Sequence, residues 1–264
     1  MKKFTRIITL LFAICFSLSV FTGYAFAANT KYIDADTALE LYTELFEKYY
    51  PGENIVGTDT SQYVPVEAEE FYKQLAQLEE NIKASLLPEN NIEVVYDENN
   101  NIISLSYTEK FAKQAQKYID IVSQQIEKRT QKSLNRESIV TPKATSTKYV
   151  WDGRDVRITA IPWNPVCYVG YIAKFKVSYN PALSPPKWFS GQATNFSPEV
   201  SYSGLGSCTA NITATAQKLL DSSRTDAVTV RLNYHAQITI EGIPMSYQSQ
   251  VNMYNEYSAA TLWG

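Results

Sequence analysis

The chain has 264 residues, 45% of them hydrophobic and 19% charged, and a formal net charge of −3. That length suits one large domain or two small ones. The acidic balance argues against nucleic acid, which asks for a basic face, and against an anionic membrane surface.

Residues 1–27 read as a signal peptide. Lys2, Lys3 and Arg6 form a basic start, Ile7 to Val20 an apolar core, and Ala25-Phe26-Ala27 a small-residue cleavage site. Cys15 lies inside the apolar core. Phe12 and Ile14 stand where a lipoprotein signal wants an aliphatic and a small residue, so Cys15 is expected to leave with the leader. The leader carries three positive and no negative charges, so the processed chain from Ala28 carries −6. No later apolar stretch is long enough to span a bilayer. The expected product is secreted, with no integral membrane segment after signal removal, and its Asn-, Lys- and Tyr-rich composition is of a bacterial kind.

The pattern from residue 28 to 135 predicts an α-rich module. Asp34 or Asp36 caps a helix whose face repeats at three and four residues through Ala38, Leu41, Tyr42, Leu45, Phe46 and Tyr49, and which ends before Pro51-Gly52. A second helix runs from about Val66 to Leu87, with Phe71, Tyr72, Leu75, Leu78 and Ile82 inward, and Pro88 stops it. Its Glu67, Glu69, Glu70, Glu79 and Glu80 lie off that stripe and read as a solvated face. The stretch NIEVVYDENNNIISLSY predicts a β-hairpin around a polar turn. A third helix begins near Thr108, with Phe111, Ala115, Tyr118, Ile119, Val122 and Ile126 inward. Residues 136–147 are polar and read as a linker.

Residues 148–264 alternate with a period of two and predict an antiparallel β-sandwich, which makes the whole chain α+β. Asp152-Gly153 reads as a tight turn. The strand VCYVGYIAKFKVSY has an apolar face of Cys167, Val169, Tyr171, Ala173, Phe175, Val177 and Tyr179, and a face that turns polar at Lys174 and Lys176. A proline-rich loop, NPALSPPKWFSG, follows. SCTANITATA places Cys208, Ala210, Ile212, Ala214 and Ala216 on one face. In AVTVRLNYHAQITI, Val228 to Ile240 point inward at alternate positions. Glu241-Gly242 is a hairpin turn, the return strand carries Met245, Tyr247, Val251 and Met253 on one face, and SAATLW predicts a last strand.

Few residues point to chemistry. Cys167 and Cys208 lie on apolar faces, where a disulfide would join two sheets or two neighbouring strands and two thiols would pack as small hydrophobes. His235, the one histidine, lies on a polar strand face, which argues against a Cys–His nucleophile. Trp151, Trp163 and Trp188 fall at strand ends or in loops, where exposed rings can stack on sugars and buried ones plug the ends of a sandwich. Asp97, Asn99 and Asn101 alternate as in a calcium loop, but Ile102 replaces the glycine and Thr108 the closing glutamate, so a hairpin turn and no metal is expected. No nucleophile elbow, zinc motif or phosphate loop stands out, and no cofactor is expected. The expectation is a non-catalytic binding protein with an extracellular protein or glycan as partner and Trp151, Trp163 and Trp188 as candidate contacts. A glycan- or cell-wall-binding module and a hydrolase with an unrecognised carboxylate pair are the alternatives.

Overall fold

A computed structural model describes residues 31–51, 56–57, 64–134, 146–157, 166–180, 187–203, 206–220, 225–240 and 243–264. The leader, most of the 136–147 linker, Trp163 and the Glu241-Gly242 turn lie outside them. The chain is mixed helix and sheet. In order it forms β1 (Tyr32–Ile33), α1 (Ala35–Tyr49), β2 (Val56–Gly57), β3 (Val66–Glu67), α2 (Ala68–Ser85), β4 (Ile92–Tyr96), β5 (Ile102–Thr108) and α3 (Ala112–Leu134). There follow β6 (Ser146–Arg157), β7 (Val166–Asn180), β8 (Lys187–Ser203), β9 (Gly206–Leu219), β10 (Thr225–Ile240), β11 (Ile243–Ser258) and α4 (Ala259–Trp263).

The strands make three antiparallel sheets. β1 pairs with β3, β6-β7-β8 form a three-stranded sheet, and β4-β5-β11-β10-β9 form a six-stranded one that β2 completes on β11. The inner face of the six-stranded sheet, with Val228, Val230, Leu232 and Val251, shares one apolar core with Val169, Tyr171, Phe175 and Val177 of β7 and with α1 and α2. Phe175 meets Tyr257 at 4.6 Å between ring centroids, and Tyr50 after α1 meets Tyr247 at 5.8 Å. The opposite face packs Leu105, Ala227 and Tyr254 under Tyr118, Ile119, Val122 and Ile126 of α3.

Local chemistry explains the helices. Asp34 caps α1 by accepting from the Thr37 amide at 2.8 Å. Glu79 does not belong to a solvated face: it accepts from Lys48 Nζ at 2.9 Å and from Tyr49 OH at 2.6 Å, tying α2 to α1. Burial raises the Glu79 pKa, and these two donors more than offset it, so the carboxyl sits below its ordinary value.

Several expectations are corrected. The β4–β5 hairpin forms, but β5 also pairs with β11, Val251 opposite Thr108 and Asn255 opposite Ser104, so it is not confined to the α-rich half. Asp152-Gly153 is no turn and lies within β6. A Cβ at Gly153 would stand 2.0 Å from the Tyr171 carbonyl oxygen of β7, so glycine serves a close approach of two backbones. Trp188 lies in β8, opposite Tyr179, rather than in a loop. In β9, Ile212 faces Leu232 but Ala214 faces Arg231, so a bulge at Thr213 turns Ala214 and Ala216 to solvent. SAATLW is not a strand: Ser258 caps α4 through the Thr261 amide.

Candidate functional site

The outer face of the three-stranded sheet is built by the period of two. With β7 burying its odd positions, β6 must turn Tyr149 and Trp151 outward, opposite Lys176 and Lys174 in turn. Thr194 of β8 continues the Trp151–Lys174 row. Tyr149 is 59% exposed and Trp151 50%. The Lys174 ammonium lies 5.0 Å from the Tyr149 ring centroid and 5.9 Å from that of Trp151, within reach of the π faces. Two rings and two lysines therefore share an open surface of about four residues. Farther along the face, Asp155 and Glu199 flank Gly170, so the surface runs from cationic to acidic.

Trp151 thus lies within β6, away from its ends, with its ring half exposed rather than buried. Trp163 lies outside the described residues, and so does the side chain of Trp188. The structure brings Trp151 together with Tyr149, Lys174 and Lys176, which sequence reasoning left out. Their signal was present: Tyr149 and Trp151 are two apart, as are Lys174 and Lys176. Only the pairing of β6 with β7 joins the two pairs.

His235 lies on the opposite, polar side of the six-stranded sheet, half-buried. An open depression of about 670 Å³ there is lined by Asn211, Asn233, His235, Gln248 and Gln250, with Glu109 and Lys110 at its edge. Gln250 donates to Asn233 at 2.7 Å. This surface offers amide donors and acceptors but, among its described residues, no exposed ring.

Between the sheets runs a buried polar chain. Ser104 donates to Asn255 at 2.8 Å, Asn255 Nδ2 donates to Tyr171 OH at 3.0 Å, and the Tyr171 and Tyr257 hydroxyls lie 3.1 Å apart. A cavity of about 220 Å³ has Glu89, Glu93, Ser106, Thr108 and Val156 in its wall. The Arg154 guanidinium closes on Glu93 there. Asp97 is spent on its own turn: it accepts from the amides of Asn99 and Asn101, each at 2.8 Å, and from the Asn101 side chain at 2.9 Å. Those Asn101 donors hold its carboxyl below the ordinary range. Among the described residues, no cluster of three or more His, Cys, Asp or Glu side chains could hold a metal.

Cys167 and Cys208 project from β7 and β9 onto the shared core. Both are free thiols, Cys167 buried and Cys208 partly exposed. Cys208 packs against the core that buries Cys167. The neighbouring Cys208 sulfur and burial push the Cys167 thiol up, and Cys167 pulls Cys208 down.

No protein-family model matches this chain, and no curated protein and no solved structure shows significant similarity to it. Among the described residues no helix is long and apolar enough to cross a membrane.

Proposed function

We propose that this is an exported, non-catalytic binding protein that recognises a glycan, such as a cell-wall polymer, through the outer face of the three-stranded sheet. One observation supports this most: two half-exposed rings, Tyr149 and Trp151, stand two residues apart on one strand face beside Lys174. Large apolar rings are ordinarily buried, and grouped exposed rings mark interaction sites. A flat ring pair gives a sugar a rigid platform at low entropic cost. The lysines suit acidic groups on such a polymer, although the chain as a whole carries a small net negative charge. In this reading the two sheets form a sandwich that holds the platform rigid.

The hydrolase alternative asks for two carboxylates opposed across a cleft. The 220 Å³ cavity carries Glu89 and Glu93 in its wall, but the Glu93 carboxylate is already taken by Arg154. With Glu93 paired, Glu89 is the one lining carboxylate left, and a single carboxylate does not make the opposed pair.

The test is pull-down and titration of the protein against a polysaccharide panel and envelope fractions. Saturable binding to one glycan is expected, weakened about tenfold or more by Trp151→Ala with the melting temperature unchanged. Binding that survives Trp151→Ala and Tyr149→Ala together would move the site elsewhere, with Trp163→Ala and Trp188→Ala next. Failure to bind any glycan would shift the reading to a protein partner.

A further inference from the structure

We propose that Cys167 and Cys208 are a disulfide-forming pair that ties the three-stranded sheet to the six-stranded one, with Cys208 as the attacking sulfur and Cys167 as the resolving one. The two strands that carry them belong to different sheets and share no backbone ladder. β7 and β9 meet across the two sheets, and Cys208 packs against the same apolar core in which Cys167 is buried. β9 is the edge of its sheet, held by β10 alone. A bond here fastens that edge to the neighbouring layer.

Access sets the order of attack. Cys167 is completely buried, whereas Cys208 is open to solvent in part. An oxidant can therefore reach only Cys208. The influence of the two thiols on one another, which raises Cys167 and lowers Cys208, matches that order.

The chemistry is thiol–disulfide exchange. The Cys208 thiolate attacks a small-molecule or protein disulfide, forms a mixed disulfide and expels one thiolate. Cys167 then gives up its proton, attacks the Cys208 sulfur and expels the second thiolate. Two protein thiols are oxidised, and one external disulfide is reduced to two thiols. The proposed export bears only on where that oxidant is met.

The experiment uses the full chain, purified with reductant, freed of it, and exposed while folded to oxidised glutathione. Intact mass and non-reducing peptide mapping are read. A Cys167–Cys208 linked peptide is expected, with a loss of mass of two hydrogens. Cys167→Ser should accumulate a glutathione adduct at Cys208, and Cys208→Ser should leave Cys167 unmodified. Free Cys167 and Cys208 in the oxidised wild type, or a link from either to Cys15 or to a second chain, overturns the bond. Equal adducts on both variants overturn the order of attack. The wild-type map decides the bond even if a serine variant fails to fold. If the export reading is the part that fails, the protein will oxidise in the tube yet be reduced when isolated from its producing cells.

Discussion

The two faces of the three-stranded sheet are made by the same strands and share nothing else. The inner face, Val169, Tyr171, Ala173, Phe175 and Val177, is completely buried. The outer face, one residue out of phase, carries half-exposed Tyr149 and Trp151 with Lys174 and Lys176. A ring on one face is cohesion, and a ring on the other is surface left for something else to cover. Residue type alone does not separate these roles, and the parity of the position does.

That contrast can be broken most severely from inside. Phe175→Ala removes a buried ring packed at a tilt against Tyr257 and should destabilise by about 3–5 kcal/mol in urea unfolding, and a small loss would mean that the inner face is loosely packed. Gly153→Ala should cost about 1–3 kcal/mol, because its methyl group must push the β6 and β7 backbones apart. Binding should fall with it, since the same shift displaces Trp151.

A milder effect comes from alkali. Burial raises the pKa of Tyr171, Tyr234 and Tyr257. Above about pH 10 the unfolded chain releases phenolic protons that the folded chain keeps. Stability is therefore intact below that pH and falls as pH rises beyond it. Tyrosinate absorbance should rise in two steps, exposed phenols first and buried ones together with the loss of circular dichroism. A single early step would show the inner face to be solvated. The smallest effect belongs to the outer face: Tyr149→Ala should change stability by no more than about 0.5 kcal/mol, measured by thermal unfolding.

Much of this was legible in the sequence, and the failures have physical causes. Three-and-four spacing located α1, α2 and α3, because an amphipathic helix carries its own record of what it buries. Alternation located β7, β10 and β11 for the same reason. Asp152-Gly153 misled because the pair is a turn signal wherever no neighbouring strand is in view. Its real reason, the Tyr171 carbonyl, lies on another strand. The bulge at Thr213 left no mark in composition, although it reverses the exposure of Ala214 and Ala216. The candidate site was half written: Tyr149 with Trp151, and Lys174 with Lys176, each follow from parity. That they form one surface depends on strand pairing, which no local pattern encodes. The ties of β5 to β11 are of the same kind, since Ser104 and Asn255 are 151 residues apart.

The place of β11 in the six-stranded sheet also fixes an order of events in the making of the protein. It is made after every other described strand, yet it lies between β5 and β10. Until residue 258 is available, β4 and β5 have no partner beyond each other, and β9 and β10 face an open edge. Such long-range pairing makes folding slow and leaves strand edges exposed in the meantime. The exposed flanks of β5 and β10 therefore wait on a single strand, and whatever delays β11 leaves two strand edges open at once.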